Sequence, residues 1–323
     1  MQAIVRREYG SAQVLELTDA DRPVPEDDQV LVRVRASSVN PYDWHAMTGL
    51  PQFMRLMTGL RRPKVAALGA DLAGVVEEVG PAVHDLRPGD EVFGEVEEGA
   101  FAEYVGAAAD VVAPKPAGLT FEQAAAVPMA GVTALQALRD HGRVRPGHAV
   151  LVNGASGGVG TFAVQLARHL GAEVTGVCST RNVELVRSLG AAEVVDYTRD
   201  DFTRGGPRYD VILDLIGNRS TRECRRVLAP KGVYIASFGQ PEHRVLGPLG
   251  RLAGMLVVSP FVGHTLTTFV SKPNRPDLVL LADLLERDEV TPVIDRTVAL
   301  GDLADAMAHV AAGHARGKVV VTI

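Results

Sequence analysis

The chain of 323 residues is predicted to adopt an α/β fold in which a doubly wound parallel sheet is joined to a smaller, barrel-like β domain. Three observations predict it. A short apolar run, Ala149-Val150-Leu151-Val152-Asn153, enters a glycine turn, Gly154-Ala155-Ser156-Gly157-Gly158-Val159-Gly160, and then a helical segment. Downstream, apolar strand patterns alternate with helical ones, as βαβ units do. Upstream, short strand patterns are punctuated by Gly and Pro, as in a small barrel.

Residues 1 to about 122 are strand-rich. The chain opens on Ala3-Ile4-Val5, and residues 29–36 alternate apolar and polar side chains, the pattern of a half-buried strand. Residues 71–80 form a second such pattern, Arg87-Pro88-Gly89 turns into a third from Glu91, and residues 99–105 read as a fourth. From about 123 to 290 the period changes. Residues 133–138 have helical composition, and Arg145-Pro146-Gly147 leads into the strand at 149–153. After the glycine turn, Phe162, Leu166 and Leu170 recur every four residues and line one face of a helix that Gly171 can close. Strands are predicted at 173–178, 193–196, 209–214 and 232–237, and helices at 182–189 and 220–228. Residues 244–269 are apolar and broken by Gly and Pro, and suit a substrate-side flap or a subunit contact. From Pro292 the chain returns to short strands and ends in Lys318-Val319-Val320-Val321-Thr322-Ile323.

Composition excludes several classes. The net charge is -6 and there is no basic cluster, so neither nucleic acid nor a membrane surface is expected as a partner. No apolar run reaches the roughly 18 residues that span a bilayer, and no secretory signal opens the chain. Cys178 and Cys224 are the only cysteines, which argues against a disulfide framework and for a cytoplasmic location.

The glycine turn carries the chemistry. Small residues let backbone N–H groups approach a pyrophosphate, and the helix that follows adds about half a positive charge at its N-terminus. Between a strand and an amphipathic helix, such a turn points to a dinucleotide. Its spacing, Gly154-x-x-Gly157-x-x-Gly160, departs from the commoner G-x-G-x-x-G. The next strand ends Cys178-Ser179-Thr180-Arg181-Asn182, with no acid before Glu184. A carboxylate at that strand end would select NAD through the ribose 2′-hydroxyl. Ser179 and Arg181 instead offer a hydroxyl and a guanidinium fork to a 2′-phosphate, so the expected cofactor is NADP(H).

On these residues the chain resembles the zinc-independent quinone oxidoreductase branch (zeta-crystallin-like) of the medium-chain dehydrogenase/reductase superfamily. The resemblance covers nearly the whole chain. It rests on Ser38-Val39-Asn40-Pro41-Tyr42-Asp43-Trp44-His45, Leu68-Gly69-Ala70-Asp71-Leu72-Ala73-Gly74, Pro128-Met129-Ala130-Gly131-Val132-Thr133-Ala134, the glycine turn, and Ala315-Arg316-Gly317-Lys318-Val319-Val320. It implies a GroES-like catalytic domain at 1–122, completed by 291–323, and a Rossmann NADP(H)-binding domain at 123–290. Zinc-containing relatives carry a cysteine where this chain has Asn40 and Gly-His-Glu where it has Gly69-Ala70-Asp71. A catalytic zinc needs three side-chain ligands, so no metal is expected.

The resemblance also implies roles. Asn40 would hydrogen-bond the reduced oxygen or the nicotinamide ribose, and His45 would donate a proton. Tyr42 is the nearest phenol, though its register is not the family's. Trp44 and His45 equally suit plain packing. Cofactor contacts are expected from Thr133, Ala155, Ser156, Gly157, Gly158, Val159, Ser179, Arg181, Tyr197, Ile216, Gly217, Ser237, Phe238, Gly239, Arg316 and Lys318. The implied activity is NADPH-dependent hydride transfer to a quinone or an α,β-unsaturated carbonyl (enone) acceptor. A 2-enoyl-thioester reductase and an NADPH-binding regulatory protein with little turnover are the alternatives. A homodimer is implied, paired through residues 266–271.

Overall fold

A computed structural model describes residues 1–206, 208–237, 254, 255, 257, 259, 262–313 and 315–323. Its backbone divides into two units, Met1–Val132 with Lys272–Ile323, and Thr133–Ser271.

In chain order the first unit holds β1 (Gln2–Val5), β2 (Glu16–Asp19), β3 (Gln29–Val39), α1 (Pro41–Thr48), α2 (Arg55–Thr58), β4 (Asp71–Val79), β5 (Glu91–Glu95), β6 (Tyr104–Ala108), β7 (Val112–Pro114) and α3 (Phe121–Ala125). α4 (Pro128–Gln136) runs on into a π turn, Ala137–His141. The second unit holds β8 (Ala149–Asn153), α5 (Gly158–His169), β9 (Glu173–Cys178), α6 (Val183–Ser188), β10 (Glu193–Asp196), β11 (Tyr209–Asp214), α7 (Thr221–Arg226), β12 (Leu228–Ala236) and β13 (Thr265–Thr268). The chain then returns to the first unit with α8 (Arg275–Glu286), β14 (Ile294–Ala299), α9 (Leu303–Ala311) and β15 (Lys318–Thr322).

The alternation in β3 puts Val30, Val32 and Val34 against Leu72, Val76 and Val92, and these side chains fill the inside of the first unit's sheet. That sheet runs β14-β15-β3-β4-β5-β7, with β6 also on β3. The C-terminal strand therefore completes it, with Val319 opposite Val39. Two register shifts between β3 and β4 bend the sheet, as bulges do in barrels. The second unit's sheet runs β10-β9-β8-β11-β12-β13 and is parallel at every pairing. β8 is apolar from Ala149 to Val152, because Val150, Leu151 and Val152 are buried on both faces. The GroES-like and Rossmann-like architectures are both present.

The structure differs from the sequence expectation in several places. Residues 99–103 lie outside any strand. Gly99 has φ +112, and the N–H groups of Ala100 and Phe101 bond Gly69 O and Leu68 O, so the segment is a turn folded onto the start of β4. α9 interrupts the expected return to strands, with Leu303, Ala306 and Met307 buried along one face. The division falls near 132 and 272 rather than 122 and 290, because α8 lies beside β7 and its Leu281 packs against Gly131. Phe238, Gly239 and most of 244–269 fall outside the described residues.

Candidate active site

The glycine turn joins the end of β8 to α5. Gly154 has φ +92, a conformation that side-chain-bearing residues rarely adopt. A Cβ on Gly160 would lie 2.0 Å from Gly154 O, so only glycine lets the first turn of α5 come down onto the end of β8. A Cβ on Gly157, the N-cap of α5, would meet only Gly154 O at 3.5 Å and would stand in the open cradle. Residues 155–159 thus surround a helix N-terminus whose first N–H groups have no intrahelical acceptor. The cradle fits a pyrophosphate.

The other expected cofactor residues follow the same edge of the sheet. Ser179 comes after β9, Tyr197 after β10, Ile216 and Gly217 after β11, and Ser237 after β12. The carboxyl ends of parallel strands are where such sheets bind ligand. Asp214 is fully buried at the end of β11, and its Oδ1 accepts from the N–H groups of Gly217 at 2.8 Å and Ile216 at 3.2 Å. Asn153 Nδ2 and Tyr234 Oη hold the same carboxylate at 2.8 and 2.6 Å. Ser237 N–H bonds Asp214 O at 2.9 Å. Tyr197 and Ile216 leave about half their surface exposed. Thr133 Oγ1 donates to Ser271 Oγ at 2.9 Å.

At the end of β9 the structure adds an acid that the linear reading passed over. Asp196 ends the neighbouring strand and stands beside Cys178 in register. Its carboxylate accepts from Thr180 Oγ1 at 2.6 Å and from Thr198 Oγ1 at 2.8 Å, and these bonds hold its pKa below the usual range. Asp196 is thus already engaged by threonines. Arg181 is exposed at the same turn.

In the first unit the structure assembles a cluster from distant segments. Lys318, at the start of β15, is 3 % exposed, and Asp71, at the start of β4, is fully buried. Lys318 Nζ donates to Asp71 Oδ2 at 3.1 Å and to Asn40 Oδ1. Asp71 Oδ2 also accepts from Ser38 Oγ at 2.5 Å and Asn40 Nδ2 at 2.9 Å, and Asp71 Oδ1 accepts from Met129 N–H at 2.8 Å. Asn40 Nδ2 further donates to Ser38 O at 3.3 Å. Lys318, expected at the cofactor, is therefore spent inside the cluster. Arg316, two residues earlier, is exposed.

Asn40 caps α1, and Asp43 Oδ2 turns back to accept its N–H at 2.7 Å. Both amide protons of Asn40 are used within the cluster, so its side chain supports the head of α1 rather than offering a free donor. Asp43 and Glu95 are buried close by, each with a carboxylate oxygen that accepts no hydrogen bond among the described residues. Burial pushes Asp43 up to about 7 and Glu95 up to about 8, and the charge of Asp71 adds to both shifts.

The two remaining expected catalytic groups sit on α1. His45 Nδ1 lies 2.7 Å from Leu50 O. A carbonyl only accepts, so Nδ1 carries the proton, and burial lowers the pKa, which leaves Nε2 with a lone pair. The ring is an acceptor at Nε2, not the expected proton donor. Tyr42 is pushed up to about 12 by burial and the charges of Glu98, Asp43 and Glu97, so its phenol keeps its proton.

Positions 40 and 70 are those at which zinc-containing relatives carry ligands. Ala70 brings no donor, and Asn40 Oδ1 and Asp71 Oδ2 already hold an ammonium. Both oxygens therefore already face a positive charge. Among the described residues, no group of three or more His, Cys, Asp or Glu side chains could hold a metal ion. Asp71 and Lys318 stand at the starts of their strands, and only the pairing of β4 and β15 with β3 brings them together.

A GroES-like unit completed by the C-terminal strand, and a parallel sheet with a pyrophosphate cradle at its carboxyl edge, define the two-domain dinucleotide-binding oxidoreductases. Residues 26–117 match the alcohol dehydrogenase GroES-like domain family and residues 189–321 the zinc-binding dehydrogenase family. The chain is 34 % identical to the mitochondrial NAD(P)H oxidoreductase RTN4IP1 of Mus musculus, over 100 % of the chain and 89 % of the relative. It is 34 % identical to the chloroplastic NADPH-dependent alkenal/one oxidoreductase of Arabidopsis thaliana, over 99 % of the chain and 79 % of the relative. Among solved structures, the quinone oxidoreductase from Coxiella burnetii superposes with TM-score 0.88 at 30 % identity, covering 100 % of this chain and 99 % of that one. The chain belongs to the medium-chain dehydrogenase/reductase superfamily.

Proposed function

We propose that this chain is an NADPH-dependent, metal-free reductase of quinones or α,β-unsaturated carbonyl compounds. The observation that carries the reading is the open cradle at Gly157, at the head of α5, in a chain that aligns over its full length with reductases of this kind. NADP(H) would be held by residues 155–159 at the pyrophosphate, by Ser179 and Arg181 at the adenosine end, and by Ile216, Gly217 and Ser237 along the strand ends. When bound, it supplies the hydride. This chain's own residues position the acceptor and govern the proton. Tyr42 Oη donates to the oxygen on which charge develops, and neutral His45 Nε2 accepts from the donor that orients beside it. The ammonium of Lys318 on Asn40 and Asp71 supports the absence of zinc.

NADPH oxidation tested with a panel of quinones, simple enones and crotonyl thioester is expected to proceed with the first two classes. Turnover of the thioester alone would favour the enoyl-thioester reading. No turnover of any of them, with NADPH bound tightly, would leave a binding protein. The reading includes a homodimer, supported by β13, which has β12 on one side and no strand on the other among the described residues. Sedimentation at the mass of a single chain would count against it. It also includes a cytoplasmic location, supported by two free cysteines.

A further inference from the structure

Asn182 stands at the start of α6, is 4 % exposed, and has no role in the reading above. Its side chain makes no capping bond to α6. Nδ2 donates instead to Ser156 Oγ at 2.9 Å and to Ser179 Oγ at 3.4 Å. Its Oδ1 is buried and accepts no hydrogen bond among the described residues. A buried amide not used for capping and left half-satisfied is costly, and such a group calls for an explanation.

The explanation lies in the two hydroxyls. Ser156 belongs to the glycine turn and Ser179 follows β9, yet both oxygens converge on a single NH2 group. A serine hydroxyl has one proton, and where its oxygen accepts from Asn182 that proton must point away from the amide. Asn182 thus turns two hydroxyls into outward donors at one spot, with exposed Arg181 next in the chain. Two hydroxyl donors gathered on one amide, with an arginine next in the chain, suit a tetrahedral phosphate. We propose that Asn182 is a positioning residue that sets the preference for a 2′-phosphorylated dinucleotide by aiming the Ser156 and Ser179 hydroxyls at the phosphate. The proposal rests on the NADP(H) reading above.

The test is equilibrium binding of NADPH and NADH to the full chain, with 2′,5′-ADP against 5′-AMP as probes that need no turnover. Wild type is expected to favour the 2′-phosphorylated member of each pair. Asn182→Ala should lose roughly tenfold in affinity for NADPH, as for one charge-assisted hydrogen bond, with NADH unchanged. Asn182→Asp, nearly isosteric, can only accept; it draws both hydroxyl protons inward and should lose more. Ser156→Ala with Ser179→Ala, which leaves Asn182 in place, should reproduce the Ala effect, and adding Asn182→Ala to that pair should cost little further. If Asn182→Ala and Asn182→Asp keep the wild-type preference, the proposal is overturned and the cofactor reading stands. If wild type binds both members of each pair alike, the two fall together.

Discussion

A buried carboxylate is tolerable when its lone pairs are taken and a positive charge is close, and Asp71 meets both conditions. Ser38, Asn40 and Lys318 reach one oxygen and Met129 N–H the other, so the head of α1, the start of α4 and the C-terminal strand meet at one side chain. Breaking a buried ion pair by removing one partner usually costs 3–5 kcal/mol, whereas removing both charges can be nearly neutral. Lys318→Met is therefore expected to destabilise the first unit by about 3–5 kcal/mol. Asp71→Asn with Lys318→Met should recover most of that loss. Urea denaturation followed by tryptophan emission checks both, because the chain has a single tryptophan, Trp44 on α1, which reports the helix that the cluster anchors. A Lys318→Met protein as stable as wild type would show that the pair contributes nothing. The double variant also separates support from chemistry. It restores charge balance but not the bond from Lys318 to Asn40, so Trp44 emission should stay shifted even where stability returns.

At the scale of elements, the strand-turn-helix unit from β8 to α5 was the most legible part of the sequence, because its constraints are local. Glycine is required where backbone meets backbone, and the apolar period of the helix follows at once. One consequence can be measured. Gly157 has extended backbone that any residue can adopt, with φ -84 and ψ 177, so Gly157→Ala should fold. Its methyl would stand in the cradle, and the expected outcome is at least about a tenfold loss in NADPH affinity, or roughly 1.4 kcal/mol. The stability cost should not exceed about 1 kcal/mol, the usual preference for Gly over Ala at an N-cap. Calorimetric titration beside a thermal melt checks it, and equal affinity for the two proteins would remove the cradle from the cofactor site. α1 was not legible because it is short and weakly amphipathic, and its signals are the cap at Asn40, Pro41 at the first position and Gly49 in the left-handed region. The ion cluster was not legible because residues 38–43, 71 and 318 are brought together only by the pairing of β15 and β4 with β3. Asn182 escaped notice for a similar reason. An asparagine between a strand and a helix looks like a cap, and only its distances to two serines reveal another use.

Across the whole molecule, the two kinds of buried polarity belong to different units, and this separates the response to pH from the response to cofactor. Asp43 and Glu95 lie in the first unit, where burial pushes them up to about 7 and about 8 from the ordinary 3.8 and 4.5. Between those limits the native state holds protons that the unfolded chain has released. The stability these groups contribute is present in full below about pH 4 and is lost as pH rises through 7 and 8. The slope cannot exceed about 1.4 kcal/mol per pH unit for each group. The pyrophosphate cradle lies in the second unit, where NADPH at a hundred times its dissociation constant adds about 2.7 kcal/mol. A chain of two units need not unfold in one step, so a single melting temperature would blend the effects. Amide hydrogen exchange, corrected for the intrinsic pH dependence of the chemistry, resolves them. Between pH 6 and pH 9, protection should fall in β3, β4 and β5 and hold in β8 and α5, while NADPH should raise it in β8 and α5. Asp43→Asn with Glu95→Gln should flatten the pH response of the first unit and leave the NADPH response of the second unchanged. A pH response that survives in that double variant would place the titrating groups elsewhere.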